Sequence, residues 1–213
     1  MTLNGGRDRA FAYGALARLF LPPDLSLLKG MRDEGLPELR DTLARMGAAP
    51  DLLARVERLA ARLSEADPEK LGRAYEEIFN PSGGLRCSPN ETAHTAVTPQ
   101  HAMVKSFELA DIAGFYRAFG VEMTPGSERP DHIAAELEFM HLLALKELIA
   151  AGSEDGEEHA KVCRDARATF FRDHLGRWFG PFCEQLREEG GPVYGEAATV
   201  LEGFLRLEAG SVH

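Results

Sequence analysis

Downstream of Glu128-Arg129-Pro130-Asp131-His132, the residues Ile133, Leu137, Met140, Ala144 and Leu148 recur at helical spacing. His132, Glu136, Leu143 and Glu147 mark a second stripe of the same helix. The two stripes leave little polar surface, and a helix apolar on most of its sides is stable only when other helices surround it. The chain must therefore build a bundle around this segment. Pro130 fixes its own φ and biases Arg129 toward extended backbone, so the helix is expected to begin at Pro130, in its first turn, with Asp131 near its positive end. The Asp131 carboxylate can then complement unpaired helix amides or face a cationic guest.

The same periodicity runs through nearly the whole sequence. Ala12, Ala15, Leu16, Leu19 and Phe20 form one stripe, stopped by Pro22-Pro23. Leu36, Leu39, Leu43 and Met46 form another, and Leu52, Val56, Leu59 and Leu63 a third. Asp67-Pro68 sets a capping residue before a first-turn proline, opening a helix through Leu71, Tyr75, Ile78 and Phe79 that Asn80-Pro81-Ser82-Gly83-Gly84 breaks. Thr98-Pro99 repeats the pattern for a long helix through Phe107, Ala110, Gly114 and Phe115, ending near Gly120. Later stripes carry Val162, Ala166, Phe170 and Phe171, then Leu175, Trp178, Phe179 and Phe182, then Ala197, Val200, Leu201, Phe204 and Leu205. No stretch reads as a strand. The expected fold is all-α, a helical bundle of about nine or ten helices. The turn-forming run Met123-Thr124-Pro125-Gly126-Ser127 divides it into two sub-bundles: an N-terminal helical region over 1–122, a hinge over 123–130 and a C-terminal helical region over 131–213.

Charge and cysteine usage narrow the function. Lys and Arg total 24 against 34 Asp and Glu, a net charge of −10. Nucleic-acid binding depends on cationic side chains meeting phosphates, so an acidic chain of this kind points away from it and toward a basic peptide. Cys87, Cys163 and Cys183 are far apart and form no CxxC pair, so neither a disulfide framework nor a zinc cluster is expected. The N-terminus lacks an apolar signal core, and no run of about 18 apolar residues occurs. A cytoplasmic protein without a membrane span is expected.

The patterns that carry chemistry elsewhere are thin. His132 and Glu136 lie one turn apart and form a metal-ligand pair only if a third ligand arrives, but His141 falls on nearly the opposite side of the helix. Cys87 has His94 nearby but no third orienting group, as a nucleophile would need. Gly83-Gly84 lacks the P-loop pattern. No cofactor and no catalytic residue are expected. Tyr116 and Trp178 are the aromatics whose polar tips suit a groove wall.

Four segments in order resemble the TorD, DmsD and NarJ family of cytoplasmic chaperones for molybdenum oxidoreductases. They are Tyr75-Glu76-Glu77-Ile78-Phe79 with Cys87-Ser88-Pro89-Asn90-Glu91-Thr92; Leu109-Ala110-Asp111-Ile112-Ala113-Gly114-Phe115-Tyr116-Arg117-Ala118-Phe119-Gly120; the Glu128 to Met140 segment; and Phe171-Arg172-Asp173-His174-Leu175-Gly176-Arg177-Trp178. The likeness runs from about Tyr75 to Phe182. Thr92 stands where the family more often has Ser, and Asn90 where it often has an aromatic residue. The resemblance implies an all-helical, non-enzymatic chaperone. Its partner would be a molybdopterin oxidoreductase catalytic subunit, held by its twin-arginine signal peptide, as apoenzyme, or both, until cofactor insertion.

The Asp131-His132 pair matches the family's hinge-proximal region implicated in signal-peptide binding. The expected client-binding set has an acidic rim of Glu91, Glu128, Asp131 and Glu136, with apolar contacts from Phe79, Tyr116, Phe139 and Met140. Cys87, Pro89, Thr92, Phe119, Pro130 and His132 flank it. The hinge leaves room for a homodimer, including a domain-swapped one. Two other readings stay open: a metal-dependent helical enzyme using His132 and Glu136, and a structural subunit of a redox complex.

Overall fold

The computed structural model describes residues 3–95, 102–124, 128–153 and 156–211. Nine helices order them. They are α1 (Leu3–Arg18), α2 (Leu25–Gly30, a π turn at Met31–Gly35, then Leu36–Arg45), α3 (Pro50–Glu65) and α4 (Pro68–Phe79). A single turn, α5 (Glu91–His94), and α6 (Ala102–Ala118) follow, then α7 (Ile133–Ala151). Last come α8 (Glu157–Phe170, a π turn at Phe171–Leu175, then Gly176–Glu189) and α9 (Gly191–Ser211). Among the described residues the one β-type pairing is an isolated antiparallel bridge between Asn90 and His132. The all-α expectation holds.

Local sequence explains several boundaries. Asp67 caps α4 by accepting from the Lys70 amide at 2.9 Å. α6 ends as expected near Gly120, whose φ of +76° permits the left-handed turn. There the Val121 amide reaches the Tyr116 carbonyl at 2.9 Å and the Gly120 amide reaches that of Arg117 at 3.1 Å, the double closure that ends many helices on glycine. The Thr98-Pro99 start of this helix lies outside the described residues. The Phe171 and Leu175 stripes belong to one helix rather than two. A π turn adds a residue between them, and Gly176 is required there because a Cβ would lie 2.5 Å from the Phe171 carbonyl oxygen.

The helices pack as a closed ring: α1 on α7, α7 on α8, α8 on α9, α9 on α3, α3 on α2 and α2 back on α1. One buried cluster joins Leu16, Leu39, Val56, Leu137, Phe182 and Leu201. The expected split into two sub-bundles is therefore not a split into two cores, since α1–α7 and α3–α9 contacts cross it. The cause is the near-uniform apolarity of α7, which needs partners from both halves of the chain. Of the expected hinge, Pro125, Gly126 and Ser127 lie outside the described residues. Among the described residues no helix is long and apolar enough to cross a membrane.

The α1–α7 contact is close at Gly14, where an added Cβ would meet His141 Nδ1 at 3.0 Å. That nitrogen donates to the Ala10 carbonyl at 2.7 Å. Gly14→Leu is expected to overpack this seam and cost about 2 kcal/mol, read as a lower urea midpoint at unchanged slope. A variant as stable as the parent would show that the seam yields.

Candidate functional site

The corner before α7 is tied to the segment before α5. The Ile133 amide donates to the Pro89 carbonyl and the Glu91 amide to the Asp131 carbonyl, both at 2.8 Å. The Asp131 side chain, fully buried, accepts from the Thr92 hydroxyl at 2.8 Å and the Thr92 amide at 3.3 Å. Arg129 forks onto the same carboxylate through Nε and Nη2, each at 3.0 Å. Tyr116, from α6, donates its hydroxyl to the Pro130 carbonyl at 2.8 Å. Three separate stretches of chain thus meet on one turn.

The helix starts later than expected, at Ile133. His132 is its N-cap, with Nδ1 accepting from the Ala134 amide at 3.1 Å. Pro130 stands outside the helix. The cap requires a neutral imidazole, and burial, countered in part by Asp131, lowers the His132 pKa to about 4.

Beneath this corner lies a buried polar string. Glu136 accepts from the Trp178 indole at 3.0 Å. Glu91 accepts from His174 Nδ1 at 3.2 Å, and the other ring nitrogen of His174 faces Asp111 at 3.2 Å. Burial, and then the charge of Glu91, hold the Glu136 carboxyl well above the usual carboxylate range. Further along the same stripe Glu147 receives Arg164 at 2.8 Å and Arg167 at 3.4 Å. The stripe begun at Glu136 therefore faces α8 and not solvent.

This placement corrects the expected acidic rim. Glu91, Asp131 and Glu136 are all 0% exposed, and His132 is 3% exposed. They brace the structure from within. Trp178, expected at a groove wall, is also fully buried. With His132 Nδ1 on a backbone amide and Glu136 on an indole, the proposed metal pair is separately engaged. Phe79 packs against Tyr75 and Tyr194, and Met140 is in the core. Cys87 is buried against the Phe182 carbonyl, and burial pushes its thiol up to about 12, away from the thiolate form that a nucleophile needs.

The accessible space lies beside this corner. A cavity of about 520 Å³ opens between the end of α6, the Val121–Thr124 segment and α7. Its floor is made by the half-buried Leu21, Val121 and Leu142, backed by Tyr116 and Phe139, which are 2% and 3% exposed with ring centroids 4.7 Å apart. Phe119 stands 6.0 Å from the Phe139 ring. Its carboxylates are Glu122, Glu128 and Glu138. Glu128 also lies 3.8 Å from His132 Nε2, linking cavity and corner. Of the expected set, Tyr116, Glu128 and Phe139 line the cavity, whereas Pro89, Thr92 and Pro130 hold its wall in place. Glu122 and Glu138 were not foreseen. Glu138 was legible, since it falls off both apolar stripes of α7 and so points outward.

A sequence model of the nitrate reductase delta subunit family matches residues 33–184. The chain is 33% identical over 95 residues to the chlorate reductase assembly chaperone protein of Ideonella dechloratans, covering 41% of this chain and 48% of that one. It is 37% identical over 71 residues to the perchlorate reductase assembly chaperone protein of Dechloromonas aromatica strain RCB, covering 33% and 30%. The matches thus span about half and about a third of those relatives. A crystal structure from Archaeoglobus fulgidus, described as a redox enzyme maturation protein, shares the fold with a TM-score of 0.52 at 20% identity, covering 92% of this chain and 93% of that one.

The cap carries a pH consequence. The unfolded chain takes up a proton at His132 near the ordinary value of 6.5, whereas the folded chain resists until about 4. Acidification between about pH 6.5 and 4.5 therefore favours unfolding, by about 2 kcal/mol from this group. His132→Asn keeps a capping side chain without the titrating ring. Urea titrations at both pH values should show the parent losing that much more stability than the variant; equal losses would contradict the buried neutral cap.

Proposed function

The chain belongs to the nitrate reductase delta subunit family, and on that premise we propose that it is a cytoplasmic assembly chaperone for the catalytic subunit of a molybdopterin oxidoreductase. It takes hold of the client's N-terminal twin-arginine leader, keeps the apo subunit until its cofactor is inserted, and carries out no reaction of its own. The names of its relatives make an oxyanion reductase the favoured client class.

The observation that carries this reading is the chemistry of the 520 Å³ cavity, where Glu122, Glu128 and Glu138 surround an aliphatic floor backed by aromatic rings. A twin-arginine leader presents cations followed by an apolar stretch, and the cavity answers both parts. The carboxylates accelerate encounter, and apolar burial slows departure. Partial burial raises the Glu138 pKa, with His141 and Arg18 pulling it back, so an arriving guanidinium would find a carboxylate with incomplete hydration to displace. Asp131 serves this function indirectly. It holds the turn that carries Glu128 and the Tyr116 hydroxyl contact, so the wall stays where the leader needs it.

Combined Glu122→Gln, Glu128→Gln and Glu138→Gln should weaken a synthetic leader peptide about tenfold at low salt, each half-exposed pair contributing up to about 1 kcal/mol. The salt dependence of binding should flatten as well. Affinity and salt response indistinguishable from the parent's would rule out this rim.

A further inference from the structure

A second cavity, of about 930 Å³, opens on the other flank of Glu138. It lies between α1, the π turn of α2 and α7, and its apolar lining includes Phe11, Ala15 and Met31. Glu34, Glu38 and Asp41 supply its charge, together with Glu138, against the single guanidinium of Arg18. Glu38 already holds Arg45 at 2.9 Å and Asp41 holds Arg40 at 3.0 Å. Glu138 feels the charges of His141 and Arg18 as well, so Glu34 is the carboxylate with most attraction to offer a guest.

Glu138 lines both cavities. One turn further along α7, His141 belongs to the larger cavity and Leu142 to the smaller, so Glu138 stands between the two chambers. The chambers differ in character. The smaller has an aliphatic floor backed by Tyr116 and Phe139; the larger has the greater number of carboxylates and is widened by glycines 14, 30 and 35.

We propose that the larger chamber takes the basic segment preceding the arginine pair of the client's leader, with the pair over Glu138 and the apolar stretch in the smaller chamber. This rests on the leader reading above and extends it, because it gives the bound peptide a direction and makes α1 and α2 part of the client site. Charge complementarity selects the occupant: a net negative chamber that adjoins an apolar one through a shared carboxylate matches a peptide whose basic part adjoins an apolar part.

Gly30 offers a clean way to block the chamber. It lines the cavity with helical backbone, φ −61° and ψ −41°, and an added Cβ there meets nothing within 4 Å. Gly30→Trp should fold normally and plug the space, while Glu34→Gln removes charge without bulk. Two labelled synthetic peptides serve as probes in fluorescence anisotropy: one with a lysine-bearing segment, an Arg-Arg pair and a leucine-rich stretch, the other beginning at the Arg-Arg pair. The parent protein should bind the longer peptide about tenfold more tightly. Each variant should weaken the longer peptide toward the shorter one's affinity and leave the shorter unchanged. Equal affinities of the two peptides for the parent, or variants that weaken both alike or neither, would overturn the second chamber while leaving the leader reading standing. Failure of both peptides to bind the parent would overturn the two together.

Discussion

The Asp131 carboxylate is the contact on which the rest of this structure depends. A carboxylate removed from water costs several kcal/mol unless donors replace its hydration. Here the Thr92 hydroxyl and amide and two nitrogens of Arg129 replace it, at 2.8 to 3.3 Å. Hydrogen bonds to a charged group contribute about 1.5 to 3 kcal/mol each, so the set offsets the burial. What the contact secures is geometric. It clasps the segment around α5 to the start of α7, and with the Tyr116–Pro130 bond it fixes the end of α6 to the same corner. The cavity wall between α6 and α7 follows from that clasp.

The acidic residues divide into two populations with different physics. Glu91, Asp131, Glu136, Glu147 and Glu208 are buried, each facing a donor or a cation from a distant part of the sequence. They close the helical ring and have no reach to a partner. Glu34, Glu122, Glu128 and Glu138 sit at the mouths of two cavities on either side of α7. The carboxylates proposed to meet a client therefore come from three stretches of chain and flank α7 on both sides, beside apolar floor.

How far the sequence reveals this depends on range. Helix class, the Asp67 cap and the Gly120 stop follow from local patterns, and the structure bears them out. The motif-bearing segments belong together, as the Thr92–Asp131 and Glu91–His174 bonds show. Whether a motif acid points inward was not legible. His132 and Glu136 share a helical stripe, but only the position of α8 and its Trp178 decides that this stripe is interior. Pro130 also misleads as a start signal, because tertiary pairing of Asn90 with His132 holds the corner extended and delays the helix to Ile133. The π turns were missed for a related reason: an inserted residue leaves both flanking stripes intact and reads as a break.

Carboxylates that line the cavities and are proposed to recognise the leader should respond to it differently from the buried ones that only support them. Amide hydrogen exchange with and without a synthetic twin-arginine leader peptide tests it most directly. Exchange should slow at Val121–Thr124 and along α7 from Ala134 to Leu142, with the Glu91 and Thr92 amides, already held by Asp131, unchanged. Protection that instead concentrates at Glu91–Thr92 and Asp131–His132, with α7 beyond Ala134 unaffected, would contradict it.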